Sequence, residues 1–506
     1  MLNAKKVFVF GFVLAVPSHS MVGQTPIYEP IVVGKAPSNE STVVALKDGS
    51  FSVFFINRPG AADKFMSISS RDGIHWEAPK IEFELPGTAY YANQVLEDHQ
   101  ETLHAVFHLW GEGNKGYRGR HLDLWYTRKK KGANKWEAPV QIFEGYVGSI
   151  RNFMQLKSGR LLMSFGKAVP EREKKPNSKD IDYGWNEILT LYSDDNGNNW
   201  KKSSSFLNIQ IDSEKVTRYG AIEPDIIELK NGKLWMLIRT NKGVLYEAFS
   251  NDLGDTWTQA QPSRFISSDS PPTFLRLMND QILLIFNMNQ RWDNPHTYAF
   301  GGREVLHAAL SSDEGKSWQG FREIVKETTT TDPTVRGDRG TAYASATEMQ
   351  DGRVLVVSGQ GEGRSIVIFD PRWLTDYRVN SSSPSDQTPN TTVFNFPATL
   401  SGELILRLDP NASCEALTIS LTDHFSIAAD SMASNHGIFA TKIQSVISPI
   451  HLRWDNDTHQ VELWQADRLL VRKAFSRNTT WGANYFRLTS SVSCPLQSFE
   501  LKKMDR

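Results

Sequence analysis

Three segments carry one ungapped pattern, Ser-x-Asp-x-Gly-x-x-Trp: Ser193-Asp195-Gly197-Trp200, Ser250-Asp252-Gly254-Trp257 and Ser311-Asp313-Gly315-Trp318. A fourth copy, Ser70-Asp72-Gly73-Trp76, lacks one residue between Asp and Gly, and a fifth, Thr127 to Trp136, keeps little beyond Gly132 and the Trp. The five tryptophans stand 60, 64, 57 and 61 residues apart, so the chain is a string of like units. The motif reads as a hairpin turn. Asp accepts bonds from the turn's own amides, Gly supplies a positive φ, and Trp folds back over the unit as an apolar plug.

A second signal precedes the motif in most units: a polar turn followed by an apolar, alternating strand, as at Lys47-Asp48-Gly49, Lys157-Ser158-Gly159, Lys230-Asn231-Gly232 and Gln350-Asp351-Gly352. Inner strand, turn, second strand, loop, third strand, motif turn and fourth strand make one four-stranded unit. Counting turns places units near 40–80, 93–140, 150–202, 222–260, 272–322 and 341–370. A single such sheet cannot bury both faces, whereas six set radially cover one another and leave only short edges. The expected fold is therefore all-β: a six-bladed β-propeller over residues 25–378. Helical periodicity between strands, which a parallel α/β fold requires, is missing.

A polar, Pro-containing linker is expected at 379–390. Residues 391–506 contain further strand-like runs, among them Gly402–Arg407, His451–Trp454, Val461–Trp464 and Tyr485–Leu488, which suggest a C-terminal β-sandwich with its tryptophans mostly in the core. At the other end, Lys5 and Lys6, ten apolar residues from Val7 to Val16, and Pro17-Ser18-His19-Ser20 read as a signal peptide over 1–23, hence a secreted or periplasmic protein. An uncleaved anchor is the other reading of that segment. Cys414 and Cys494 are the only cysteines; one disulfide and two buried thiols are both open.

Composition narrows the partners. Lys plus Arg total 56 and Asp plus Glu 57, a formal charge of -1, so there is no net basic field for a nucleic-acid backbone or an anionic membrane. No Cys/His zinc pattern, HExxH, Walker loop or G-x-S-x-G elbow is found, so neither metal nor cofactor is expected. The run Arg128–Lys131 reads as a solvated turn. His104, His108 and His121 alternate as packing residues do.

Candidate site residues follow from the repeat. In a radial arrangement the positions just before each inner strand converge at one mouth of the axis. Counting back nine residues from the turn glycine reaches Glu40 from Gly49, Glu223 from Gly232 and Tyr343 from Gly352; eight back from Gly159 is Arg151. Asn93 holds the matching place in the second unit.

These motifs, together with the segments Glu223–Arg239, Gly302–Asp313 and Tyr343–Gly352, resemble the sialidase (neuraminidase) superfamily of Asp-box propellers over the whole propeller region. Sialidases use a Tyr nucleophile polarised by a Glu, an Asp acid/base, and three arginines that hold the substrate carboxylate. The resemblance puts Tyr343 in the nucleophile place, Glu223 beside it, Asp63 in the acid/base place, and Arg239 and Arg303 in two arginine places. A phenol that shares its proton with Glu avoids setting a full phenolate against an anionic sugar, and a Tyr nucleophile is a recognised exception to the two-carboxylate scheme.

One feature departs from the pattern. The family's first arginine should stand about ten residues before Gly49, where this chain has Asn39 followed by Glu40. Losing it costs about 1.5–3 kcal/mol per charged hydrogen bond. Either Arg151 or Arg58 substitutes, or Glu40 repels an anionic sugar and the substrate is a different, neutral glycosyl group. The expectation is an exo-acting glycoside hydrolase of sialidase-like type that releases a terminal, acidic sugar from a glycan or oligosaccharide. A polysaccharide lyase acting on uronates and a non-catalytic glycan-binding propeller are the rivals.

Overall fold

The computed structural model describes residues 27–57, 61–111, 122–169, 185–209, 220–289, 302–327, 339–377, 386–388, 390–409, 415–425, 437–445, 449–490 and 496–504. The signal-peptide expectation, Arg58, His121, Cys414 and Cys494 lie outside them. The fold is all-β, and its described strands form six four-stranded and two five-stranded antiparallel sheets.

The first sheet runs Thr42–Ala45, Phe51–Ile56, Lys64–Ser70, Lys80–Glu84. The next four repeat that order: Ala89–Glu97 to Val140–Phe143, Asn152–Gln155 to Lys201–Lys202, Ala221–Glu228 to Gln261–Ile266, and Thr273–Arg276 to Gln319–Lys326. The sixth holds Ser345–Glu348, Val354–Ser358 and Ser365–Phe369, and its outer strand is Ile31–Gly34, from the start of the chain. The spacing of the turns predicts a complete sixth unit within 341–370. That unit contains three strands, and the open edge of the third is covered by a segment more than three hundred residues away, which removes an unpaired edge.

First strands touch one another in sequence order, and Ser345–Glu348 returns to touch Thr42–Ala45, so the six sheets close a circuit. Second strands are buried along their length, as in Phe51–Ile56, Leu234–Thr240 and Val354–Ser358. Fourth strands such as Val140–Phe143 and Lys201–Lys202 face solvent. Burial on both faces explains why second strands read as continuous apolar runs. This all-β arrangement is consistent with a β-propeller.

The repeated motif closes the third-to-fourth-strand turn as its chemistry dictates. Ser311 Oγ donates to Asp313 Oδ1 and accepts from Gly315 N, both at 2.9 Å; Asp313 Oδ1 accepts from Ser317 N at 2.9 Å. Trp318 Nε1 donates to Gly315 O at 3.0 Å. In the Ser193 copy, bonds from the Asn199 side chain and amide pull the Asp195 carboxyl down to about 2. Gly315 sits at φ 81, and a Cβ there would run into the Trp235 ring of the preceding sheet. Gly315→Ala is therefore expected to destabilise the fold by about 2–4 kcal/mol, combining left-handed strain with overpacking. Urea unfolding would read it, and a change below about 0.5 kcal/mol, the level of an ordinary surface substitution, would contradict the packing argument.

Arg128 departs from its expected place in a solvated turn. It is 9% exposed and joins Glu137 to Asn196 O and Asn198 Oδ1 of the next sheet's motif turn. His104 and His108 are fully buried.

The five-stranded sheets enclose a separate core around Phe396, Leu404, Ile419, Trp454 and Phe486. One runs Asp386–Thr388, Thr391–Thr399, Ala483–Thr489, Glu415–Thr422, Phe439–Ser445; the other Arg468–Ala474, Gln460–Gln465, Ile450–Asp455, Ser401–Leu408, Leu496–Lys503. Asp386–Thr388 falls inside the expected linker yet pairs with Thr391–Thr399, because the polar segment turns back as a hairpin. The sheets dock on the fourth and fifth four-stranded sheets. Trp481 stacks on Phe265 and Phe321, and Tyr485 Oη donates to Glu323 at 2.6 Å while meeting His307 Nε2 at 2.6 Å.

Candidate active site

Each of the six first strands brings one polar residue to the same mouth. Glu40 precedes Thr42, Asn93 lies within Ala89–Glu97, Arg151 precedes Asn152, Glu223 lies within Ala221–Glu228, Asp269 precedes Thr273, and Tyr343 precedes Ser345. Arg239 comes from the end of Leu234–Thr240, Arg303 stands before Val305, and Gln360 follows Ser358.

The three residues found nine positions before a turn glycine share a backbone state. Glu40, Glu223 and Tyr343 have φ of 51, 53 and 66. Left-handed backbone at non-glycine residues costs of order 1–3 kcal/mol each and concentrates at functional sites. At Glu223 the left-handed residue coincides with a β-bulge between Ile222 and Pro224, a device that re-aims a side chain.

The structure brings Glu223, Arg239 and Tyr343 together. The Tyr343 hydroxyl donates to Glu223 Oε1 at 3.0 Å, and Arg239 Nη1 donates to the same hydroxyl at 2.8 Å and to Glu223 Oε2 at 2.5 Å. Arg239 Nε donates to Asp269 Oδ1 at 2.7 Å. The guanidinium carbons of Arg151 and Arg303 lie 5.2 and 5.1 Å from the Tyr343 ring centre, inside cation–π range. Burial pushes the Tyr343 phenol well above its ordinary value, Glu223 adds to the rise, and Arg239 and Arg303 oppose it. At neutral pH it is a neutral phenol whose proton already points at a carboxylate.

A second half of the cluster surrounds Glu40. Ser149 Oγ donates to Glu40 Oε2, Gln360 Nε2 donates to Oε1 at 3.1 Å, and Arg151 Nη1 lies 3.9 Å from Oε2. Arg151 Nη2 also donates to Ala344 O at 2.5 Å. Gln360 Oε1 accepts from Arg303 Nη1 at 3.0 Å, and Arg303 Nη2 donates to the Asp269 main-chain carbonyl at 2.9 Å. Gln360, Ser149 and Asp269 join the site without a counterpart in the turn spacing. Asp269 is the fifth sheet's contribution, four residues before its strand, and its weak turn hid it.

The remaining candidates have other surroundings. Asn93 is fully buried and its amide donates to the Glu40 carbonyl at 3.3 Å, so it holds the backbone that carries Glu40. Asn39 Oδ1 accepts from Gly361 N at 3.0 Å and fixes the loop bearing Gln360. Asp63 lies between the second and third strands of the first sheet, bonded to Asn57 Nδ2 at 2.9 Å and Lys64 Nζ at 3.3 Å, apart from the Tyr343 network. The bond from Asn57, then that from Lys64, keeps its carboxyl below the ordinary range. Beneath the cluster a cavity of about 220 Å³ runs along the first strands. On its wall Asp225 is raised to about 6 by complete burial.

The family model for the BNR repeat-like domain matches residues 57–356, more than half of the chain, and the chain belongs to that family, within the sialidase/BNR superfamily. The anhydrosialidase of Macrobdella decora is 31% identical over 93 residues, 18% of this chain and 11% of that protein. A sialidase of Vibrio cholerae is 26% identical over 160 residues, 27% of this chain and 20% of its own length. The matches thus span a fifth or less of these curated relatives. Among solved structures, a protein of unknown function from Dyadobacter fermentans aligns at 20% identity and TM-score 0.47 over 68% of this chain and 97% of that one. Trypanosoma rangeli sialidase aligns at 12% and 0.44 over 96% and 94%.

Proposed function

We propose that the chain is an exo-acting glycoside hydrolase of sialidase-like type that releases a terminal sugar from a glycan. In this reading it is an exported six-bladed propeller, residues 25–378, with an accessory β-sandwich over 391–506. The sialidase relatives support hydrolysis at family level. The observation that carries the reading is the Tyr343 hydroxyl aimed at Glu223, 3.0 Å away, with Arg239 2.8 Å from the same oxygen.

The proposed steps follow from that geometry. Tyr343 Oη attacks the anomeric carbon as its proton passes to Glu223, and Arg239 stabilises the charge that develops on the oxygen. The bond to the leaving oxygen breaks, and that oxygen takes a proton from Asp63. Water then attacks the anomeric carbon and gives a proton to the Asp63 carboxylate, the glycosyl–tyrosine bond breaks, and the phenol oxygen recovers its proton from Glu223. Asp63 is a weak point at neutral pH, because a carboxyl held below its ordinary value is ionised. Aryl glycosides, whose leaving groups need little protonation, bypass that demand.

The full chain is expected to release 4-methylumbelliferone from at least one glycoside in a panel of terminal sugars, with retention at the anomeric carbon read by NMR. Release with inversion, or no release from any member, would reject the tyrosine mechanism. Products absorbing in the ultraviolet would point instead to elimination.

A further inference from the structure

Among the described residues the charges of the site balance. Three guanidiniums, Arg151, Arg239 and Arg303, and three carboxylates, Glu40, Glu223 and Asp269, meet in one bonded network, and five of the six are no more than 4% exposed. Arg239 is engaged by two carboxylates and the phenol. Arg303 gives its two terminal nitrogens to the Gln360 carbonyl and to the Asp269 main chain. Arg151 spends Nη2 on Ala344 O and directs Nη1 toward Glu40.

Gln360 is the joint between the halves. A carboxylate only accepts and a guanidinium only donates, so the amide must turn its NH2 to Glu40 and its oxygen to Arg303, as it does. Glu40 itself is held on three sides, by Ser149, Gln360 and Arg151, on a left-handed backbone position. It has no simple route out of the site.

A sugar that carries a carboxylate on its anomeric carbon would bring a fourth negative charge into this cluster. Arg239 would have to release a buried acceptor to meet it, and Glu40 would lie against it as a like charge. The guanidinium nitrogens without hydrogen-bond partners among the described residues, Arg151 Nε and Nη1 and Arg303 Nε, can be met by neutral sugar hydroxyls. Hydrogen on the attacked carbon makes no such demand, and sugar hydroxyls can donate to carboxylates without changing the charge.

We infer that the site takes an aldose, with hydrogen and not a carboxylate on the carbon that Tyr343 attacks, and that Glu40 is the residue that excludes 2-keto acid sugars. The inference rests on the hydrolase reading for its turnover arm and is independent of it for binding. The experiment compares the full chain on 4-methylumbelliferyl N-acetylneuraminide and on 4-methylumbelliferyl hexosides, 6-deoxyhexosides and uronides, and titrates free N-acetylneuraminate into wild type and Glu40→Gln by calorimetry. Turnover confined to aldosides is expected. N-acetylneuraminate should bind Glu40→Gln at least about tenfold more tightly than wild type, a step worth 1.4 kcal/mol.

Sialoside turnover by wild type at a rate matching any aldoside would overturn the inference, as would equal N-acetylneuraminate affinity in the two proteins. No turnover of any glycoside, with the affinity difference present, would reject the hydrolase reading and retain the exclusion by Glu40. Should Glu40→Gln fail to fold, wild type alone decides by competition: N-acetylneuraminate displacing a bound aldose sinks the inference, and failure to displace it upholds it.

Discussion

Tyr343→Phe is expected to lower kcat/KM on the best aryl glycoside by about 10³-fold or more, the scale on which deleting a nucleophile that works as a unit with its base is felt. The fold should survive. The phenyl ring keeps its packing beneath Arg151 and Arg303, and Arg239 remains bonded to Glu223 and Asp269, so the lost hydroxyl costs about 1–2 kcal/mol. Glu223→Gln should reduce activity by about 10²–10⁴-fold through loss of the proton acceptor. The two variants differ in their pH profiles. Glu223 is one of the groups raising the Tyr343 phenol; with that charge gone, hydroxide can remove the phenol proton, and the residual rate of Glu223→Gln should climb as pH rises. Tyr343→Phe has no proton to lose there and should stay flat. Full activity in both variants, or a rising profile in Tyr343→Phe, would remove Tyr343 from the chemistry.

The geometry around Glu223 and Tyr343 was approachable from sequence because the same local rule produced it twice. A turn glycine at positive φ ends one hairpin, and nine residues upstream the chain enters the sheet through a left-handed residue, at Glu40, Glu223 and Tyr343 alike. Local chemistry of this kind leaves a periodic trace. Gln360 and Ser149 leave none, because their importance arises from bonds to residues of other sheets. Asp269 precedes the fifth sheet's first strand, whose turn at Met278-Asn279-Asp280 lacks the glycine from which the others are counted. The pairing of Ile31–Gly34 with Ser365–Phe369 was hidden for the same reason, since a strand that completes a distant sheet looks no different locally from any short apolar run. Arg128 shows the converse error. A run of basic residues suggests solvent, yet its first member bridges two sheets while Lys130 and Lys131 stay outside.

Arg239→Leu is expected to be the most destabilising single change at the site, by about 3–5 kcal/mol, because removing one partner leaves buried charge without compensation. Arg239 is 1% exposed and holds Glu223 through Nη1 and Asp269 through Nε. An ion pair such as Arg353 with Asp351, whose side chains are 24% and 53% exposed, offers the contrast, and its loss should change stability by about 0–1 kcal/mol. Arg239→Lys should fall between them, since one ammonium keeps the charge but lacks the fork that reaches Glu223, Asp269 and the Tyr343 hydroxyl at once. Combining Arg239→Leu with Glu223→Gln should return part of the loss, with a coupling of about 0.5–3 kcal/mol by urea unfolding of the four proteins in the cycle. Strict additivity of the two changes would mean that Glu223 feels Arg239 weakly. The balanced network, and with it the account of why a further carboxylate is unwelcome beside Tyr343, would then have to be abandoned.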